Sequence, residues 1–73
     1  MNMQDATLKA LTVNGEPAET AADTLAALVE SLGFAENAVA TARNGAFVPR
    51  GQRGATGLAS GDKVEIVAPR QGG

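Results

Sequence analysis

The chain contains no Cys and no His. The side chains that most often serve as nucleophiles, thiolate metal ligands or proton shuttles near neutral pH are therefore missing. Catalysis by its own side chains is not expected, and neither a catalytic residue nor a metal site is assigned. What remains with chemical capacity is backbone, because the sequence closes Arg70-Gln71-Gly72-Gly73. A carboxylate on Gly73 is a poor electrophile until one of its oxygens joins a good leaving group, as in an acyl-adenylate. Once it is activated, a nucleophile can be loaded onto that carbonyl without any thiol on the chain. Glycines suit such a tail, since a backbone without Cβ takes whichever φ and ψ a narrow channel imposes. Gly73 is the candidate covalent site, with Gly72, Gln71 and Arg70 as its lead-in. At about 3.3 Å per residue, an extended tail from Pro69 to Gly73 reaches roughly 16 Å, enough to enter a buried site. Two glycines in succession arise by chance at a given place in roughly 0.5% of chains, so the pair needs the rest of the sequence to give it meaning.

A chain of 73 residues makes one small domain without room for a second core. Of its hydrophobic residues 15 are Ala, leaving 17 larger ones, so the core must be thin and closely packed. No apolar run is long enough to span a bilayer, and Met1-Asn-Met-Gln-Asp5 has neither the basic nor the hydrophobic region of a signal peptide. The expected setting is cytoplasmic, with no membrane partner. A net charge of -2 also disfavours nucleic acid, whose nonspecific binding rests on neutralising phosphates. The charge is divided, at -5 over residues 1–36 and +3 over residues 37–73, a pattern that suits either a protein partner with complementary patches or a plain solvated surface.

The elements that must present the tail follow in order. Residues 1–7 carry no periodic pattern and are expected to be a disordered N-terminal extension. Lys9–Val13 alternates as a strand, with Leu11 and Val13 on one face. Asn14-Gly15 is a hairpin signal for a type I′ turn, whose two central residues need positive φ. A second strand returns through Glu16–Thr20, and Pro17 places it at a sheet edge. Leu25, Leu28, Val29 and Leu32 then form one helical stripe ending at Gly33. Asp23 or Thr24 can cap that helix, or Thr20 with Asp23 can form an earlier capping box that starts it at Ala21.

Val39–Asn44 alternates again, with Ala40 and Ala42 read as facing the helix and Val39, Thr41 and Arg43 as pointing outward. Asn44-Gly45 repeats the hairpin signal and leads into a short peripheral strand at Phe47–Arg50. Residues 51–62 hold four glycines and are read as a loop anchored by Leu58. No Gly-Lys-Ser/Thr follows, so the spacing is not that of a P-loop. Lys63–Ala68 is the last strand, with Val64 and Ile66 on one face and Glu65 and Val67 on the other, and Pro69 ends it. Domain organisation is thus a body at 8–69 and a flexible Gly-Gly tail at 70–73. The class is α+β: a mixed sheet of four to five strands with one main helix packed across one face.

This order of elements is that of the ubiquitin-like β-grasp fold. Asn14-Gly15-Glu16, Thr24-Leu25 with Leu28, Asn44-Gly45 to Val48-Pro49-Arg50, Gly61-Asp62 with Val64-Glu65-Ile66-Val67, and Gln71-Gly72-Gly73 together resemble the ThiS family, the small sulfur carriers of thiamine biosynthesis. The resemblance covers roughly residues 9 to 73. The chain departs from it in the N-terminal extension, in Thr41 and Arg43 where aliphatic residues are commoner, and in the glycine-rich 51–57 segment. It implies a carrier and co-substrate, not an enzyme. An E1-like adenylating enzyme (ThiF-like) would use Mg-ATP to adenylate Gly73. A sulfur donor such as a cysteine desulfurase system would displace AMP to leave a thiocarboxylate, and a thiazole synthase (ThiG-like) would take the sulfur. The carrier itself would bind no cofactor.

Val67, Arg43 and Phe47 are candidates for a partner-docking face on the open side of the sheet. The bland alternative for Phe47 and Val67 is ordinary packing, and for Arg70 a solvated tail charge. Three other functions stay open on residues alone. One is a MoaD-like small subunit of molybdopterin synthase, which is similar in fold and tail. The others are a ubiquitin-like modifier joined to targets through Gly73, and a β-grasp interaction module whose terminal glycines do nothing.

Overall fold

The computed structural model describes residues 8–68. The expected extension at 1–7 and the tail at 70–73, with Pro69, lie outside that range. Within it, five strands form one mixed sheet: β1 Lys9–Val13, β2 Glu16–Thr20, β3 Ala40–Arg43, β4 Ala46–Val48 and β5 Lys63–Val67, in the order β2-β1-β5-β3-β4. β5 lies in the middle, parallel to β1 and antiparallel to β3. This is the β-grasp arrangement. The two edges are β2, which contains Pro17, and the three-residue β4. A residue without an N–H and a very short strand both blunt an edge against unwanted pairing.

Both hairpin turns take the conformation their sequences demand. Asn14 and Gly15 have φ of 54° and 83°, and Asn44 and Gly45 have φ of 53° and 84°. These left-handed pairs match the twist of the flanking strands.

The main helix, α1, runs Leu25–Ser31. Of the three caps open to it, Thr24 is used: its Oγ1 accepts from Ala27 N–H at 3.2 Å. Thr20 instead closes a local turn, accepting from Ala22 N–H at 2.9 Å. At the other end Gly33 N–H donates to Glu30 O and Phe34 N–H to Val29 O, a Schellman closure around a glycine with φ of 85°. Two helical turns are unstable alone. α1 is held because Leu25, Leu28 and Val29 are buried against Leu11, Val48, Leu58, Val64 and Ile66. Leu32, the last residue of the expected stripe, is the C-cap and is exposed, because the helix stops short of it.

Two expectations are corrected. Residues 51–62 are not all loop, since a six-residue 3-10 helix spans Arg50–Ala55. It is tied to the start of α1 through Leu25 N–H to Thr56 O and Leu58 N–H to Asp23 O, at 2.9 and 3.0 Å. Leu58 is buried, as read. The second correction concerns β3, whose faces are inverted. Thr41 and Arg43 share the helix side with Ile66 and Val64, while Ala40 and Ala42 share the open side with Val67 and Glu65. Val39 packs against the core as well.

The physical cause of the inversion is Arg53, which is 3% exposed. Its Nε donates to Thr41 Oγ1 at 3.0 Å, Nη1 to Glu36 O at 2.7 Å and Nη2 to Val39 O at 2.7 Å. The Thr41 hydroxyl in turn donates to Val48 O at 2.9 Å. A threonine so satisfied can sit 2% exposed under the helix. One guanidinium thereby joins the 3-10 helix, the link before β3, and β3 itself.

Candidate functional site

The candidate covalent residue Gly73 and its lead-in Gly72, Gln71 and Arg70 lie outside the described residues. What the structure does place is the strand they follow and the surface around it. β5 is bounded on both sides by asparagines of the two hairpin turns. Asn14 Oδ1 accepts from Ile66 N–H at 2.9 Å and Asn14 Nδ2 donates to Ile66 O at 3.1 Å. Its carboxamide thus stands in for one more residue of β1, carrying the ladder two residues past the pairing of Val13 with Val64. On the far side Asn44 N–H donates to Lys63 O at 2.7 Å, while Asn44 Oδ1 accepts from Lys63 N–H at 2.8 Å.

Asn44 Nδ2 also donates to Asp62 Oδ1 at 3.0 Å, and Asp62 Oδ2 accepts from Ala59 N–H at 2.9 Å. These contacts hold the Asp62 carboxyl below its ordinary value. The Asn44 amide is the largest cause, followed by the Ala59 N–H, with Arg43 adding to them and burial opposing. Asp62 therefore locks the turn into β5. Neither asparagine clip was read from the sequence. Each clip uses the donor and the acceptor that an amide carries together.

The register sorts the candidate docking residues. On the open side of the sheet, Phe47 stands opposite Ala42, which stands opposite Glu65, while Ala40 stands opposite Val67. Phe47 and Val67 are 68% and 57% exposed. Packing among the described residues therefore explains neither. With the two alanines they make a flat apolar strip bordered by Glu65, and Val67 closes the strand from which the tail departs. Arg43 is removed from this face. It lies on the helix side, half-buried, with Nη1 donating to Gly57 O at 2.6 Å.

Elsewhere, a concavity of about 540 Å³ is lined by Thr24, Ala26, Ala27, Val29, Glu30, Phe34 and Glu36 on the helix side, away from the strip. Among the described residues no three His, Cys, Asp or Glu gather as a metal site requires. No helix among them is long and apolar enough to cross a membrane.

Comparison with known proteins places this geometry. Residues 11–73 match the ThiS family. The crystal structure of the thiamine biosynthesis protein ThiS from Geobacter metallireducens is similar, with a TM-score of 0.73 at 32% identity, over 88% of this chain and 99% of that one. A thiazole synthase from Magnetococcus marinus is 46% identical over 56 residues, which is 75% of this chain but only 17% of the length of that protein.

Proposed function

The chain belongs to the ThiS family, and from this premise we propose that it is a sulfur carrier of thiamine biosynthesis, loaded at the Gly73 carboxylate. The observation that carries the reading is the extent of the family match, which runs through residue 73 and so takes in the Gly72-Gly73 pair. The chain acts as co-substrate of partner enzymes and not as an enzyme.

The chemistry proceeds in two displacements. In an E1-like partner a Gly73 carboxylate oxygen attacks the α-phosphorus of Mg-ATP. An O–P bond forms and pyrophosphate leaves. Hydrosulfide attacking the activated carbonyl carbon gives the thiocarboxylate directly, and AMP departs with the oxygen it was joined to. Where the sulfur comes as a persulfide from a cysteine desulfurase system, the acyl disulfide first formed is cleaved by a second thiol, which leaves in a disulfide with the donor cysteine. The resulting thiocarboxylate is a soft nucleophile, and it delivers its sulfur to the carbon skeleton of the forming thiazole.

A protein named thiazole synthase that contains a segment 46% identical to this chain supports a thiazole synthase as the acceptor partner, in preference to molybdopterin synthase. The exposed strip of Phe47, Ala42, Ala40 and Val67 is the docking face. Its apolar surface lies beside the strand that leads to the tail, so a partner seated there receives Gly73 within the tail's reach.

The test is intact-mass measurement after incubation with Mg-ATP, an E1-like activating enzyme and a sulfur source. Exchange of one oxygen for sulfur, mapped to the C-terminal peptide, is expected. An unchanged mass, with an activating enzyme that does modify another member of the family, overturns the proposal.

A further inference from the structure

The Asn-Gly pairs at 14–15 and 44–45 have a chemistry of their own. The backbone nitrogen of the glycine, once it has lost its proton, can attack the asparagine Cγ. A C–N bond forms, the bond from Cγ to the side-chain nitrogen breaks, and ammonia leaves. Water then opens the five-membered imide at one of its two carbonyls, giving Asp or isoaspartate. Glycine favours this ring closure because no Cβ crowds the attacking nitrogen.

The fold holds both carboxamides away from that reaction. Each amide is fixed at its oxygen and at its nitrogen: Asn14 to the N–H and O of Ile66, Asn44 to Lys63 N–H and Asp62 Oδ1. Ring closure requires both bonds of the amide to break and Cγ to swing back over its own backbone. The backbone of each turn is held too, through Asn14 N–H to Val64 O at 2.9 Å and Asn44 N–H to Lys63 O at 2.7 Å. All these partners are in β5 or in Asp62 just before it, so the protection exists only while β5 is seated in the sheet.

We propose that Asn14 and Asn44 are deamidation sites closed in the folded chain and opened by unfolding, so that conversion marks a chain that has lost its fold and opposes its return. The second effect follows from what each amide touches. At position 14 an aspartate sets a carboxylate oxygen against the Ile66 carbonyl, where the amide donates at 3.1 Å. At position 44 it sets a second carboxylate against Asp62 Oδ1, where the amide donates at 3.0 Å. Isoaspartate adds a methylene to the main chain of a two-residue turn, whose length fixes the register of its hairpin.

The experiment holds the 73-residue chain at mildly alkaline pH, in native buffer and in urea, and follows each asparagine by peptide mapping. Conversion at 14 and 44 is expected in urea and at least about tenfold more slowly in native buffer, because the folded ensemble opens rarely. Asn37, followed by Ala38, is the internal reference and should convert slowly in both. Arg53→Met, which weakens the body without touching either turn, should raise the native-buffer rate. Native rates within about twofold of those in urea would overturn the proposal. So would Asn14→Asp and Asn44→Asp chains that unfold at the wild-type urea midpoint.

Discussion

Replacing Arg53 with Met removes the five N–H donors of a guanidinium while keeping an unbranched stem of similar reach. Packing is therefore largely conserved and hydrogen bonding is not. The three bonds lost, to Thr41 Oγ1, Glu36 O and Val39 O, are charge-assisted and contribute about 1.5–3 kcal/mol each. Against them stands the several kcal/mol needed to desolvate the cation. A net loss of about 2–4 kcal/mol results, because the acceptors stay behind without partners. In a domain this small that corresponds to a fall in Tm of roughly 10–25 °C, and to a large share of the whole stability.

The chain has no Trp and no Tyr, so unfolding is best followed by far-UV circular dichroism in urea. The midpoint should fall while the slope stays constant, which separates lost stability from a changed unfolded state. Arg53→Lys should lie between the two, since one ammonium cannot span three acceptors set in a fork. A Met variant within about 0.5 kcal/mol of wild type would refute the reasoning. It would mean that burying the charge costs as much as its bonds return.

Two further outcomes are expected. Val67→Asp and Phe47→Asp, at exposed positions, should each leave stability within about 0.5 kcal/mol yet lower kcat/KM for activation by the E1-like partner at least about tenfold. Arg43→Ala should lower stability and leave activation unchanged, and equal activation of all three variants would remove the docking role from the strip. Asp62, whose carboxyl is held below its ordinary value of 3.8, contributes stability that is complete above that value and lost as pH falls through the lower folded one. Urea midpoints should therefore decline below about pH 4, and Asp62→Asn should flatten that decline; an unaltered acid limb in the variant would count against the Asn44–Asp62 contact.

The parts of the fold that are written locally were readable in the sequence. The two Asn-Gly turns, the edge position forced by Pro17, the Leu25–Leu28–Val29 stripe and the burial of Val64 and Ile66 each depend on a few neighbouring residues. What was misread depends on distant ones. In Ala40-Thr41-Ala42-Arg43 both faces are small or polar, so alternation marks a strand without saying which side is inner. Thr41 goes inward because Arg53, twelve residues on, supplies a donor there. The same arginine explains why a glycine-rich stretch is helical, since a buried, triply bonded guanidinium holds the turn that its glycines would not. As for the site, Gly73 and its lead-in rest on the tail's composition and lie outside the described residues. The asparagine clips on β5 were hidden, because a turn already accounts for Asn-Gly and nothing nearby reveals what its amide will meet.

The position of β5 also fixes an order of events during synthesis. The β1–β2 and β3–β4 hairpins emerge from the ribosome first, and each is marginal alone. In the finished sheet they are not paired with each other, because β5 lies between them. No amount of earlier folding can join the halves until residues 63–67 have cleared the exit tunnel. A nascent chain stalled before that point is two loose hairpins with open edges, and its Asn14 and Asn44 amides have nothing to hold.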